Sequence, residues 1–426
     1  MNKNDLKPED YLYSLNRQGV KLGLDKIKSF LSNFNDPQYD FDSVLIAGTN
    51  GKGSVTSMLS NILFESGYRT GRYISPHLDH FEERICIDGK NIPEDELWDL
   101  IEEIRPFLEK IEKDNPELRP SFFEVLTTIA YLYFSRKDVD VAVLEVGMGG
   151  RLDATNVSDH FISAVTTIGY DHMKYLGSTK REIAFEKAGI IRQGNHFVTG
   201  VKEDDIKEYL RDVCTERGAH YHHAHEREYE ILTEPLRLKM PGYGTFRVPG
   251  IARWQAENAL VTIGLVEGLR ERGYEISHED MKRGLEKTHL KGRMELYSET
   301  PKIIFDSAHN ISGIEALSEG LKGMEYERLL LVIGILEDKD HKAMSRVMGS
   351  ISDMVFTAEP VSERKLDSRV LAKEFEGHCP VNSYKHGIDA LEAAKEEWRE
   401  GDLIVVTGSI YLLGDIRNKI GGDPDG

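Results

Sequence analysis

"SVLIAGTNGKGSVTSMLSNILFESG", residues 43–67, joins a β-branched apolar run, a glycine-rich turn and a segment whose Val55, Met58, Leu59, Ile62 and Leu63 recur at helical spacing before Gly67. Strand, loop and helix in that order form the unit from which a parallel α/β sheet is built. The turn itself, "GTNGKGS" (48–54), reads like a phosphate-binding loop with two departures. The pattern G-x-x-x-x-G-K-[ST] wants glycine where Ile46 stands and a hydroxyl directly after Lys52, where Gly53 stands. If Lys52 holds a nucleotide phosphate, the oxygen ligand that a magnesium ion takes from that position has to come from elsewhere in the chain.

Outward from this unit the pattern continues. "GRYIS" (71–75), "VDVAVLEVG" (139–147), "ISAVTTIG" (162–169) and "NHFVTG" (195–200) read as strands, and residues 93–113 and 121–135 as helices. The second half repeats the style in "KIIFDSAHN" (302–310), "RLLLVIG" (328–334), "SDMVFTAE" (352–359) and "DLIVVTG" (402–408). The expectation is an α/β protein: an N-terminal P-loop domain with a parallel doubly wound sheet over 1–293, and a smaller Rossmann-like α/β domain over 294–426. The break is set near Arg293 in "HLKGRMELYSETP" (289–301), where turn residues and charge read as a hinge, though a tight loop within one domain would look the same.

Composition narrows the function classes. A chain of 426 residues is too long for one ordinary core. The formal net charge of −19, with no basic stripe, disfavours a nucleic-acid partner, so any phosphate must be held locally by backbone N–H groups, a few cations and a metal ion. Cys86, Cys214 and Cys379 lie far apart, which excludes a disulfide framework and a thiolate zinc site. The start, "MNKNDLKPEDYLYSL", lacks the apolar core of a leader, and no run is long enough to cross a bilayer, so a cytoplasmic protein is expected.

In an open parallel sheet, ligands gather outside the carboxyl ends of the strands. Thr49 to Ser54, Ser75 in "SPHL", Glu145 in "LEVGMGGRLDATN" and His172 in "GYDHMKYLG" all fall at such ends. Ser75, Glu145 and His172 supply a hydroxyl, a carboxylate and an imidazole that can complete the shell Gly53 leaves open. Magnesium prefers oxygen, so His172 reads equally as a base or a phosphate donor. The histidine-rich "HYHHAHER" (220–227) reads as an exposed edge more readily than as a metal cluster.

The segments "GTNGKGS", "ISPHL", "SFFEVLT", "LEVGMGGRLDATN", "DHMKYLG", "IAFEKAGII", "DSAHN" and "TGSIYLLGD" together resemble the folylpolyglutamate synthase and dihydrofolate synthase family of the Mur ligase superfamily. The resemblance implies an ATP-dependent amide ligase of folate biosynthesis. The substrate carboxylate takes the γ-phosphoryl group of ATP, and the amine of L-glutamate displaces phosphate from the acyl phosphate. It implies that Thr49, Asn50, Gly51, Lys52, Gly53 and Ser54 cradle the phosphates and that Ser75, Glu145 and His172 hold magnesium. Lys187 in "FEKAGII" matches a lysine carried as a carbamate, against the reading of a helix-surface lysine paired with Glu186. Asp153 in "RLDATN" matches a pterin-pocket carboxylate, against the reading of a turn-forming aspartate before Thr155 and Asn156.

From the rest of the chain, the resemblance implies that Asn258 faces the adenine, Arg293 the phosphates, Asp306 and His309 the ribose and phosphates, and Ser409 the incoming glutamate. Dihydropteroate or a reduced folate is the expected partner, with no nucleic acid and no membrane, on a monomer. Two alternatives stand beside it: a ligase of the same fold acting on another pterin or peptide-like carboxylate, and an ATP-dependent regulatory module that does not ligate. The sequence departs from the family at Ile311, where proline is usual after the histidine-asparagine pair, and at "LKGR" (290–293), where the usual hinge proline is lacking.

Overall fold

The computed structural model describes residues 7–15, 23–233 and 235–421; the first six residues of the expected leaderless start lie outside them. The chain forms two compact units, the first of Met1–Tyr229, Met240–Phe246 and Glu257–Thr288, the second of Glu230–Lys239, Arg247–Ala256 and His289–Gly426.

The first unit is organised by an eight-stranded sheet in the order β4-β3-β2-β5-β1-β6-β7-β8. Its strands are β1 (Asp42–Ala47), β2 (Thr70–Tyr73), β3 (Ile85–Ile87), β4 (Lys90–Asn91), β5 (Val141–Glu145), β6 (Ile162–Val165), β7 (His196–Thr199) and β8 (His220–His223). Val44, Leu45, Ile46 and Ala47 are wholly buried, which is why β1 reads as a continuous apolar run rather than an alternating one. Pairing is parallel from β2 through β5, β1, β6 and β7 to β8.

The parallel sheet carries an antiparallel hairpin at one edge. β3 runs antiparallel to β2, and β4 antiparallel to β3, through a turn in which Asp88 and Gly89 adopt φ 52° and 75°. That is the geometry an Asp-Gly pair between apolar residues favours. The two long helices form where the periodicity places them, at Glu94–Asp114 and Phe122–Arg136. The second opens on a capping box in which Ser121 accepts from the Glu124 N–H and the Glu124 carboxylate accepts from the Ser121 N–H at 2.7 Å.

The helix Lys52–Glu65 packs on His278–Glu286, and Gly284 is what lets them meet: a Cβ there would lie 2.5 Å from Ile62 Cα. Because the obstacle is backbone, Gly284→Ala must push the two helices apart. We expect it to destabilise the first unit by about 1–3 kcal/mol, despite the better helix propensity of alanine, as a lower midpoint in urea. An unchanged midpoint would mean that the helices yield freely.

The second unit contains a six-stranded sheet. In spatial order its strands are Arg293–Glu299, Lys302–Asp306, Leu403–Thr407, Leu329–Ile333, Met354–Thr357 and Val381–Ser383. Here "HLKGRMELYSETP" departs from the sequence reading. Arg293–Glu299 is an edge strand antiparallel to Lys302–Asp306, and only its approach at 289–292 stays irregular. The remaining neighbours are parallel. The helix Ile311–Lys322 begins firmly without the usual proline, because Asn310 caps it and accepts from the Gly313 N–H at 2.8 Å.

Among the described residues no helix is long and apolar enough to cross a membrane. All three cysteines are free, with Cys86 and Cys214 buried.

Candidate active site

β1 delivers the chain into the glycine-rich loop at the carboxyl edge of the first sheet. Gly48 has φ 154°, and a Cβ on it would stand 1.9 Å from Thr166 Oγ1, so no side chain fits. Thr166 and Thr167, just past β6, brace the loop from outside. Thr166 Oγ1 donates to the Asn50 carbonyl at 2.6 Å, and Thr167 Oγ1 accepts from the Asn50 N–H at 3.0 Å. Thr49 N–H donates to the Thr167 carbonyl at 2.9 Å, and Thr49 Oγ1 accepts from the Gly169 N–H at 2.9 Å.

Gly51, at φ 86°, closes the loop as the N-cap of Lys52–Glu65. The N–H groups of this 14-residue helix, Gly53 and Ser54 among its first residues, therefore open at the loop, as an anion requires. Lys52 Nζ arches back to the Gly48 and Thr49 carbonyls at 3.2 Å each. Asn258, from the helix Arg253–Glu271, puts Oδ1 only 2.5 Å from where a Gly51 Cβ would be, so it abuts the loop.

The candidate metal ligands divide. Glu145 ends β5, is 4% exposed, and its Oε2 accepts from the Ser75 N–H at 3.2 Å, so these two are brought together across the ends of β2 and β5. A carboxylate held at the carboxyl ends of neighbouring parallel strands suits a hard divalent cation. His172 sits past β6 in the left-handed conformation, φ 50°, with its side chain 40% exposed. Its Nε2 lies 3.9 Å from Asp171 Oδ2. Asp171, whose side chain is only 9% exposed, is not among the residues the sequence singles out. Its Oδ1 accepts from the His172 N–H at 2.8 Å, and the signal for it is its position immediately before His172 at a strand's carboxyl end.

Lys187 is buried, not on the helix surface: 4% exposed in the helix Lys180–Ala188, it donates to the Gly48 carbonyl at 2.8 Å. Glu186 pairs with Arg151 instead, at 2.8 Å. Burial pushes the Lys187 ammonium down to about 7, the Lys52 charge pushes the same way, and Asp171 and Asp153 oppose it. An amine with that proton affinity is partly neutral at physiological pH and is a competent nucleophile.

Asp153 is buried and makes the turn that the local sequence allows. Oδ1 accepts from the Thr155 N–H and hydroxyl at 3.0 and 2.6 Å, and Oδ2 from the Met148 N–H at 2.9 Å. Its carboxylate stitches "GMGGRLDAT" into one loop, and burial raises its proton affinity. A pterin edge would have to share those oxygens.

In the second unit, Asp306, Gly408 and Ser409 gather at the carboxyl ends of paired strands, with Gly408 N–H donating to the Ala308 carbonyl at 3.0 Å. Asp306 accepts from the Met294 and Ala308 N–H groups at 2.8 and 2.9 Å, and burial pushes it up to about 6. Arg293 is its register partner across the edge strand. His309 Nδ1 lies 2.8 Å from the Ser307 carbonyl, which only accepts, so that nitrogen carries the proton. Ser409 is buried and caps Ile410–Lys419, accepting from the Tyr411 N–H at 3.2 Å. Arg417, also unforeseen, is 2% exposed and pairs with Glu295 at 2.8 and 2.9 Å, anchoring that last helix to the edge strand.

Residues 46–266 match the Mur ligase middle domain, and residues 292–410 match the Mur ligase glutamate ligase domain. The chain is 32% identical to the Bacillus subtilis dihydrofolate synthase/folylpolyglutamate synthase, over 94% of this chain and 96% of that one. It is 34% identical to a Halobacterium salinarum protein named as a probable bifunctional folylpolyglutamate synthase/dihydropteroate synthase, over 96% of this chain and 51% of that one. The chain thus spans about half the length of that relative. E. coli FolC in complex with DHPP and ADP superposes with a TM-score of 0.87 at 29% identity, over 99% of both chains. The Yersinia pestis bifunctional folylpolyglutamate synthase/dihydrofolate synthase complexed with AMPPNP and Mn ion does so at 0.85 and 27%, again over 99% of both. With both Mur ligase domains matched and the likeness to the Bacillus enzyme spanning nearly both chains, this protein belongs to the folylpolyglutamate synthase/dihydrofolate synthase family of Mur ligases.

Proposed function

We propose that this chain is an ATP-dependent ligase that joins L-glutamate to the carboxylate of a pteroate or folate through an acyl phosphate. The observation that carries the reading is the convergence on one carbonyl: Lys52 Nζ and Lys187 Nζ both donate to Gly48 O, in a loop that starts a helix beside the Ser75–Glu145 pair. Phosphoryl transfer needs alignment and charge neutralisation more than covalent chemistry, and this cluster offers both. Lys52, the loop N–H groups of Thr49 to Ser54 and Asn258 are assigned to ATP; Ser75, Glu145 and His172 to a magnesium ion, whose bound charge would neutralise the phosphates.

Lys187 is assigned a carbamate, which a lysine with a proton affinity near 7 can form with carbon dioxide by losing a proton. Asp153 is assigned to the pterin, Arg293, Asp306 and His309 to nucleotide handling, and Ser409 to glutamate. We place the enzyme in the cytoplasm, acting as a monomer on small molecules alone. The Escherichia and Yersinia proteins, solved with DHPP and ADP and with AMPPNP and Mn ion, support the ligand classes.

ADP release measured with dihydropteroate, with a reduced folate and with neither, each with and without glutamate, tests this reading. Release that requires both a pterin carboxylate and glutamate is expected. Release indifferent to glutamate would instead favour a regulatory module that hydrolyses ATP.

A further inference from the structure

At the opposite edge of the first sheet stands a cluster the ligase reading does not use. His196 opens β7 and pairs in register with His220, which opens β8. Strand alternation puts His220 and His222 on the same face, and the helix Arg253–Glu271 ends there with Glu271. That helix lies close because Gly268, one turn before Glu271, gives room: a Cβ there would stand 3.4 Å from His196 Cβ.

One nitrogen from each of His196 and His222 and one carboxylate oxygen of Glu271 all lie within 4.8 Å of one another. His196 Nε2 is already 3.2 Å from Glu271 Oε2, which matches the roughly 3.3 Å edge of a tetrahedron with zinc-ligand bonds of about 2.0–2.1 Å. The His196 and His222 rings are stacked, their planes 7° apart and their centroids 5.5 Å apart. His196 is 7% exposed, yet its Nδ1, like Nε2 of His222, is buried with no hydrogen-bond partner among the described residues. His222 Nε2, buried and unsatisfied, is costly unless something binds it, whereas an ion held by His196 Nε2 would leave Nδ1 of that ring as it is.

We propose that His196, His222 and Glu271 form a binding site for a divalent late transition metal, zinc being the best match, which staples the edge strand β8 to the helix Arg253–Glu271. Two neutral imidazoles and a carboxylate satisfy zinc in both softness and charge. The exposed His220, its ring centroid 4.9 Å from that of His196, or a water takes the fourth position. The exposed Glu271 side gives the ion a way in. The phosphate loop lies at the carboxyl ends of the parallel strands and this cluster at their amino ends, so the site is structural rather than part of ligation.

The test uses the full, untagged chain stripped of metal. Zinc is titrated in competition with a chromophoric chelator, and thermal melts are run with and without one equivalent. We expect one tight zinc per chain and a higher Tm with zinc. His222→Gln and Glu271→Gln should each weaken binding at least tenfold and remove the Tm gain, while magnesium-dependent ADP release stays as in the parent. Absence of a stoichiometric zinc site, or zinc affinity and Tm gain unchanged in both variants, overturns the proposal. Should His222→Gln not fold, as judged by circular dichroism, Glu271→Gln, altered at an exposed helix end, decides alone.

Discussion

Lys52→Ala and Glu145→Ala are each expected to lower glutamate-dependent ADP release by at least ~10²-fold while leaving the circular dichroism spectrum unchanged. Removing one preorganised electrostatic contact to a developing charge costs on the order of 3 kcal/mol in the transition state. The two losses differ in origin. Lys52 spans its own loop, reaching the Gly48 and Thr49 carbonyls, so truncating it leaves the braces from Thr166 and Thr167 in place. The loop should keep its shape and lose only its cation. Glu145 is buried at the end of β5, and its removal leaves the Ser75 N–H without the 3.2 Å partner it has now. Extra magnesium should rescue neither variant, because one lacks the phosphate cation and the other the carboxylate assigned to the metal. Turnover within about threefold of the parent in either variant would sink the assignment of this loop as the nucleotide site.

Lys187→Met is expected to abolish ligation and at the same time to raise thermal stability. The folded ammonium titrates near 7 against 10.5 for an ordinary lysine. Below pH ~7 the lysine is charged in both states, and the full cost of burying that charge is present. Between ~7 and ~10.5 the unfolded chain binds a proton that the folded chain does not, so stability rises with pH and the cost fades. At about 1.4 kcal/mol per unit the cost amounts to a few kcal/mol at neutral pH.

Methionine fills similar length with apolar atoms, and the Gly48 carbonyl keeps Lys52 as a donor, so little of the gain is offset. The variant should therefore melt several degrees higher at pH 6.5, with a smaller advantage at pH 9. Thermal melts in carbon-dioxide-free buffer read this directly. An advantage that grows with pH would mean that Lys187 is not buried as a charge. Carbon-13 NMR with labelled bicarbonate adds the chemical half: a carbamate resonance in the parent that is missing in Lys187→Met.

Much of the framework could be read along the chain. The run 43–67 carried its own strand, loop and helix, because buried β-branched runs, glycine turns and 3.6-residue periodicity are local signals. The polar residues at strand ends followed from the same logic, since every parallel strand presents its carboxyl end at one edge. The Asp88–Gly89 hairpin was legible too, in a dipeptide that the sequence reading did not use. The strand Arg293–Glu299 was less so: its charged and exposed residues look like a hinge until the edge it occupies is known.

What sequence by itself determined, then, is the set of groups and the order in which strands present them. What only tertiary structure decided is the environment of each group. Lys187 meets Gly48 across 139 residues, and it is that enclosure which lowers its proton affinity; no window of neighbours contains the cause. Thr166 and Thr167 brace a loop more than a hundred residues earlier, and Asp153 turns its oxygens inward on its own loop. His196, His222 and Glu271 converge only because β7, β8 and a helix end share one face. Periodicity is a property of nearby residues, whereas desolvation and Coulomb energy depend on distance through space, which the chain sets only once it has folded.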